Sequence, residues 1–470
     1  MSVDTSRGIL GDATVAELEA GLRGSVVRPG DPGYDEARTV WNAAHDKRPA
    51  LIVRCAGTAD VVRAVDFARS QDLLVAVRGG GHSIAGFSTC EDGIVIDLSP
   101  MKGAFVDPVE RRVVAQAGMT WADLDHETQA FGLALTGGLV SSTGISGFTL
   151  GGGVGWLLRR HGLASDNLAA VEMVTADGRV VRASEEENPE LFWALRGGGG
   201  NFGIVTSLEF RLHPVGPQVL GGLIVFPLEQ AEQVITGWRE LLPELPDDLT
   251  TLVNLTTAPP VPFLPPEVHG TRVVVLGAVY AGDPASGEAA VAPLRALGTP
   301  VADILGPMPY TAVQRMLDPL WEAGAHNYFT SAFVEPTDEA LDAVLRQHLA
   351  TPTPASEVHL HQLGGAFARV PADATAFSQR EPSLLCNVIA RTSDPADFGE
   401  AVAWARAARE EIAGHGRGTM YVNFTGDGAE DKVRASYPEE VYARLVRVKD
   451  AYDPTNMFRL NQNIRPSERT

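Results

Sequence analysis

The sequence predicts an α+β fold in two unlike parts, and three observations carry that reading. At 470 residues the chain is too long for one ordinary core, and 44% hydrophobic with 21% charged residues is the balance of a packed globular protein. The first part alternates short apolar runs with helical patterns and is broken by three glycine-dense stretches. The second, after the turn at His213-Pro-Val-Gly-Pro217, mixes strand-like runs with amphipathic helices, the pattern of an antiparallel sheet backed by helices.

In chain order, Asp12 to Leu22 has the spacing of a short helix, and Val26 to Tyr34 reads as an extended arm. Pro49 to Cys55 is a predicted strand. Thr58 is placed to cap a helix whose Val61, Val65 and Ala68 recur on one face. Leu73 to Val77 is an unbroken apolar run, hence a buried strand, and completes a β-α-β unit. Further strands are expected at Ile94 to Leu98 and Arg112 to Ala117. Thr120 and Asp123 resemble a capping box, with Asp for the usual Glu, heading a helix that ends near Phe131.

Val171 to Thr175 and Val180 to Ala183 form a hairpin through Asp177-Gly178. Asn188-Pro189 opens a helix through Leu195, and Ile204 to Leu212 alternates on Leu208, Phe210 and Leu212. In the second part, Pro259 to Pro266 (PPVPFLPP) is a rigid loop that a central strand excludes. Around it strands are predicted at Leu252 to Thr256, Arg272 to Ala281, Ser356 to Leu363 and Leu384 to Ala390. Helices are predicted at Leu228 to Leu242, Thr337 to Leu349 and Ala396 to Ile412. The tail carries a predicted strand, Met420 to Phe424, and a helix, Pro438 to Tyr452.

The glycines point to a ligand. Arg78 is followed by Gly79, Gly80, Gly81, His82 and Ser83. Thr136 to Trp156 (TGGLVSSTGISGFTLGGGVGW) is too glycine-dense for an amphipathic helix or alternating strand, each interior Gly costing about 0.5–1 kcal/mol. Arg196 to Thr206 (RGGGGNFGIVT) repeats the pattern. Backbone N–H groups freed of Cβ atoms can converge on phosphate oxygens, and three such loops suit one long phosphorylated ligand, a dinucleotide. An NAD-type site is excluded, because Gly79 to Ile84 does not spell G-x-G-x-x-G.

A net charge of −21 argues against nucleic acid and anionic membrane surfaces as partners, since both need basic patches. Three cysteines, Cys55, Cys90 and Cys386, have no metal-ligand or redox spacing, which fits a reducing compartment. The first residues show no secretory leader, and no run approaches the apolar length of a membrane span, so the cytoplasm is the expected location.

In order, RGGGHS, GLVSSTGISGFTLGGGVGW, LFWALRGGGGNFGIVT, YVNF and FRLNQNI make the chain resemble the berberine bridge enzyme-like family of flavin oxidases, from about Val26 to Pro466. These carry an FAD domain of the p-cresol methylhydroxylase/vanillyl-alcohol oxidase type. The resemblance implies a two-subdomain FAD-binding domain over 1–215, a substrate domain over 216–416, and a segment, 417–470, that returns to the FAD domain. It implies that His82 bonds the flavin 8α-methyl carbon. The cysteine that bonds flavin C6 in many relatives is replaced here by Val140, and the neighbouring Ser141 and Ser142 cannot form a thioether, so attachment should be single.

The same resemblance assigns Arg78 to Ser83, Gly144, Ser146, Gly147, Gly151 and Gly152 to the pyrophosphate and ring. It assigns Gly200, Asn201, Gly203, Ile204 and Val205 to the adenosine and ring edge. Thr143 matches a position near where dioxygen meets reduced flavin; a threonine is small, which leans towards oxygen access but leaves oxidase and dehydrogenase both open, the alternative being an ordinary loop threonine bonding its own backbone. Tyr421 and Asn423 match a Y-x-N-[YF] motif beside the flavin, with the tyrosine a base in some members or else a packed, backbone-bonded ring.

His359 and His361 alternate onto one face of a predicted strand, Leu360 and Gln362 onto the other. They could orient or deprotonate a substrate hydroxyl, face solvent, or hold a metal, for which no third ligand is suitably spaced; no metal is expected. The implied activity is an FAD-dependent oxidase moving a hydride from a hydroxyl- or amine-bearing carbon of a small organic substrate to flavin N5, with dioxygen returning as hydrogen peroxide. A dehydrogenase of the same fold is the alternative.

Overall fold

The structure is a computed structural model and describes residues 11–381, 383–416, 418–426, 428 and 430–468. The first ten positions, on which the leader reading partly rests, lie outside them.

The apolar runs that open the chain pair as Ser25–Val27 (β1), Leu51–Arg54 (β2), Val75–Arg78 (β3) and Ile94–Asp97 (β4), in the order β1-β2-β4-β3. β2 and β3 both run parallel to β4, which lies between them. The β-α-β unit is therefore present, but its strands are not neighbours: β4 is buried along its whole length and takes the central place. The extended arm is β1, antiparallel to β2, followed by an unforeseen short helix, Tyr34–Arg38. Helix Thr58–Ser70 buries Val61, Val65 and Ala68 as spaced. Its cap position is Gly57, not Thr58, whose hydroxyl donates instead to Glu172 Oε1 at 2.7 Å.

A second sheet is antiparallel. Ala104–Asp107 (β5) and Arg112–Gln116 (β6) precede a two-residue strand, Leu133–Ala134 (β7); Leu168–Val174 (β8), Val180–Ser184 (β9) and Ile204–Arg211 (β10) complete the order β5-β6-β10-β8-β9. His213–Pro214 (β11) pairs with β7. The capping box forms as read: Asp123 N–H donates to Thr120 Oγ1, and Thr120 N–H to Asp123 Oδ2, heading helix Trp121–Gln129. The glycine-dense second stretch does hold a helix, Ile145–Leu150. Burial of Ile145, Thr149 and Leu150 outweighs the propensity cost of Gly147.

The third sheet comprises Gln218–Pro227 (β12), Leu249–Thr257 (β13), Arg272–Tyr280 (β14), Ala302–Asp303 (β15), Gly306–Pro309 (β16), His326–Val334 (β17), Glu357–Gln362 (β18) and Leu384–Thr392 (β19). It is antiparallel, in the order β15-β12-β14-β13-β18-β19-β17, with β16 also on β12. Helices Ala231–Leu241, Asp338–Leu349 and Phe398–Ala413 back one face, where Trp238, Val344 and Ala405 pack on Val253, Leu360 and Val388. Strand alternation turns His359 and His361 to the other face.

The tail is not a strand at 420–424 but a single tight turn, Val422–Phe424, followed by helices that include Glu439–Tyr452. It is pinned to the first part of the chain by fully buried Lys449, whose Nζ donates to Asn201 O, Phe458 O and Asp453 Oδ2 at 2.7, 3.0 and 2.7 Å. No helix among the described residues is long and apolar enough to cross a membrane.

Candidate active site

The glycine loops meet each other before they meet anything else. β3 ends at Arg78, and the loop after it lies directly on the second glycine stretch: a Cβ on Gly80 would stand 2.3 Å from Gly144 N, and one on Gly144 2.4 Å from Gly80 N. Only bare backbone fits at that crossing. Beyond it opens a cavity of about 310 Å³, walled by Gly79 to Ser83, Thr143, Gly144 and Gly147, and by Gly198 to Gly200 with Leu460 to Gln462 of the tail. At Gly147 and Gly200 a Cβ would find open space, while Gly81 and Gly199 hold φ of +72° and +69°. Bare backbone facing a cavity is the surface a dinucleotide's phosphates require.

Several expected residues stand behind this wall rather than in it. Arg78 turns its guanidinium to Asp97 at 2.8 Å, anchoring the strand that presents the loop. Ser146 Oγ donates to Ala117 O at 3.0 Å. Gly151 is where Asn423 packs, with its Oδ1 2.1 Å from the Cβ position, and Gly152, at φ +125°, lies under Phe377. Gly203 backs onto Val174 O, and Ile204 and Val205 begin β10. Asn201 clips loop to tail, donating to Gly198 O and Gln462 O and accepting from Ile464 N. These residues shape the wall without reaching the cavity.

His82 stands at the rim. Its ring stacks on Trp41 with centroids 4.9 Å apart, and its Nε2 lies 3.0 Å from Ser142 Oγ. Burial pushes its pKa down to about 4, so the imidazole is neutral at pH 7. Val140, at the position that would carry a second link, also lines the cavity.

Across the cavity stand His359 and His361, 5% and 4% exposed, with ring centroids 5.9 Å apart. The inward face is thus the imidazole face. Leu360 joins the helix-side core, and Gln362 Oε1 accepts from Thr251. Trp321 edges His359, and Phe424 lies 5.4 Å from His361. Sequence reasoning missed Trp41, Trp321, Phe329 and Asn387, which share this wall. None lies in a glycine loop; sheet register places Phe329 and Asn387, the latter directly opposite His359 on β19, while Trp41 and Trp321 reach the wall from connecting segments outside any strand.

Tyr421 does not line the cavity. It is 1% exposed, its ring edged by Phe377 and Phe424 and its hydroxyl oxygen accepting from Gly153 N and Asn423 Nδ2, both at 2.8 Å. Burial pushes its pKa up to about 12, against those hydrogen bonds. Asn423, which it holds, does reach the cavity.

A family model described as an FAD binding domain matches residues 49–184, and one described as berberine and berberine like matches 420–465. The chain is 33% identical over 457 residues to an uncharacterized FAD-linked oxidoreductase of Bacillus subtilis, covering 96% of this chain and 98% of that one. It is 32% identical over 459 residues to (R)-6-hydroxynicotine oxidase of Paenarthrobacter nicotinovorans, covering 95% and 97%. The crystal structure of 6-hydroxy-D-nicotine oxidase from Arthrobacter nicotinovorans superposes with a TM-score of 0.85 at 29% identity, over 95% of this chain and 98% of that one. A berberine bridge enzyme variant holding (S)-reticuline shares the fold, with a TM-score of 0.85 at 20% identity over 97% and 99%. The glycine-walled cavity, its rim histidine and these full-length likenesses place the chain in the berberine bridge enzyme-like family of FAD-linked oxidases, as an FAD-dependent oxidoreductase.

Proposed function

We propose that the protein is an oxidase with its FAD tethered through His82 alone, acting on a small, largely apolar alcohol or amine. The same reading divides the chain into a flavin-binding part, 1–215 with 417–470, and a substrate part, 216–416. Three free, buried cysteines accord with a reducing compartment, and we place the protein in the cytoplasm.

The observation that supports the tether is a neutral imidazole at the rim of a glycine-walled cavity, with Val140 at the one other candidate position. Bound flavin supplies a two-electron acceptor that takes a hydride from the hydroxyl- or amine-bearing carbon and yields its electrons to dioxygen, giving hydrogen peroxide. The chain's own work is positioning. Trp321, Phe329, Ile389 and Phe424 give the substrate an apolar bed, and His359, His361 and Asn387 offer the polar contacts. His361 Nε2 and Asn387 Oδ1 are buried without a hydrogen-bond partner, so each is available to a substrate hydroxyl.

Acid precipitation is the first check: the pellet of the wild-type protein is yellow, and that of His82→Ala is not. A yellow His82→Ala pellet would refute the tether. Oxidase and dehydrogenase separate in stopped-flow mixing of the reduced protein with air. Fast recolouring supports the oxidase, with Thr143→Leu slowing it by at least about tenfold while substrate reduction stays within about twofold. Recolouring by a dye but not by air would make the protein a dehydrogenase.

A further inference from the structure

The imidazole face of β18 carries a third polar residue that the flavin reading leaves without a task. Glu357, two residues before His359, is 6% exposed. Its Oε2 accepts from Asn254 Nδ2 at 2.7 Å and lies 3.4 Å from His359 Nε2. That separation is within ion-pair reach, although the alignment is not that of a hydrogen bond. In the sheet register Asn254 on β13 and Asn387 on β19 flank His359, and Ser331 on β17 continues the line. A polar row thus cuts across a sheet whose next row is Leu252, His361, Leu385 and Phe333.

Such a row weakens the core unless something uses it. A buried carboxylate is costly to desolvate, and an apolar residue of the same volume would serve the sheet at least as well. Burial does push the Glu357 carboxyl up, but His359 and the hydrogen bonds from Asn254 and Thr256 outweigh it, leaving the pKa below the usual range. Burial and the neighbouring His359 hold His361 well below the ordinary imidazole value, so it is neutral. The two histidines are therefore inequivalent: His359 has a carboxylate behind it and His361 has none. An imidazole between a carboxylate and a cavity can take a proton from what enters, because the carboxylate stabilises the imidazolium that forms.

We propose that Glu357 and His359 act as a dyad, Glu357 being the positioning residue for the imidazole that accepts a proton from the substrate's hydroxyl or amine. This rests on the cavity being a substrate-oxidising site. In the step the O–H or N–H bond breaks with its electron pair left on the heteroatom. A new N–H bond forms on the ring, and its positive charge is offset by Glu357. The other titratable or charged groups facing the pair are His361 on the same strand, Arg391 on β19 and His348 on helix Asp338–Leu349. Arg391 is engaged elsewhere, lying over the Trp321 ring and donating to Leu320 O.

The test reads His359 in the flavin-loaded protein, by NMR titration of histidine-labelled protein with the signal assigned through its loss in His359→Gln. In Glu357→Gln the His359 midpoint falls by at least about one pH unit, a tenfold loss of proton affinity. In His361→Gln it does not fall. Glu357→Asp, which keeps the charge but withdraws it, gives a smaller drop and is the second variant. With any alcohol, amine or phenol that bleaches the flavin, the acid limb of kcat/KM moves with the midpoint. A midpoint unmoved in the variants that fold overturns the dyad, and so does failure of both to fold, since Glu357 would then be structural. Protein that binds no FAD defeats the flavin reading instead, before any titration begins.

Discussion

Asp125 shows at single-residue scale how a buried carboxyl can tie pH to stability. It is 2% exposed in helix Trp121–Gln129 and accepts one hydrogen bond, from Gln314 Nε2 at 3.1 Å, across to the short helix Tyr310–Gln314. Burial pushes its pKa up to about 7, against that bond and the charge of Arg315. A raised carboxyl pKa means that the fold prefers the protonated form. Its contribution is full below the unfolded value of about 4 and is lost as pH rises through about 7. Asp125→Asn keeps the hydrogen bond and never ionises, so above about pH 7 the variant should be the more stable by on the order of 1–3 kcal/mol. The check is the difference in Tm against pH; parallel curves would refute it. Gly80→Ala is a second case, its methyl driven into Gly144, and purified protein should carry at most a small fraction of the wild-type flavin absorbance. At this scale the loop residues were legible, because glycine runs have few other uses. Trp321 and Asn387 were not, because the first reaches the wall from a connecting segment and the second through sheet register, neither of which marks the neighbouring sequence.

Elements with strong local signals are the ones that the sequence foretold. The capping box at Thr120, the hairpin through Asp177-Gly178 and the helix after Asn188-Pro189 stand where expected. Helix Ile145–Leu150 was hidden by glycine density, and the tail turn at Val422–Phe424 looked like a strand because apolar spacing alone does not supply a pairing partner. Helix Glu439–Tyr452 carries the element-scale prediction. Its Lys449 is paired with Asp453 at 2.7 Å with neither side chain exposed, and it also holds the carbonyls of Asn201 and Phe458. Lys449→Met leaves a buried carboxylate without its cation, and stability should drop by roughly 3–5 kcal/mol in urea unfolding. Flavin retention on gel filtration should fall with it, because the same contacts set the Gly198–Gly200 wall. A variant that loses stability but keeps full colour would show that the tail is not needed to hold the cofactor.

Across the whole molecule, two large cores, one under the first two sheets and one under the third, flank one cavity, and a short segment laces the two sides. Trp41 Nε1 donates to Trp321 O at 2.9 Å, and Asn42 Nδ2 to both Ile84 O and Asn327 O at 2.8 Å. The α+β class followed from composition and periodicity. The strand order of the sheets did not, since pairing partners far apart in sequence leave no local mark. The cavity wall also draws on Leu460, Asn461 and Gln462, close to the last described residue. A polypeptide from which these three residues are deleted has only an unfinished berth for its cofactor, and its purified product should be colourless.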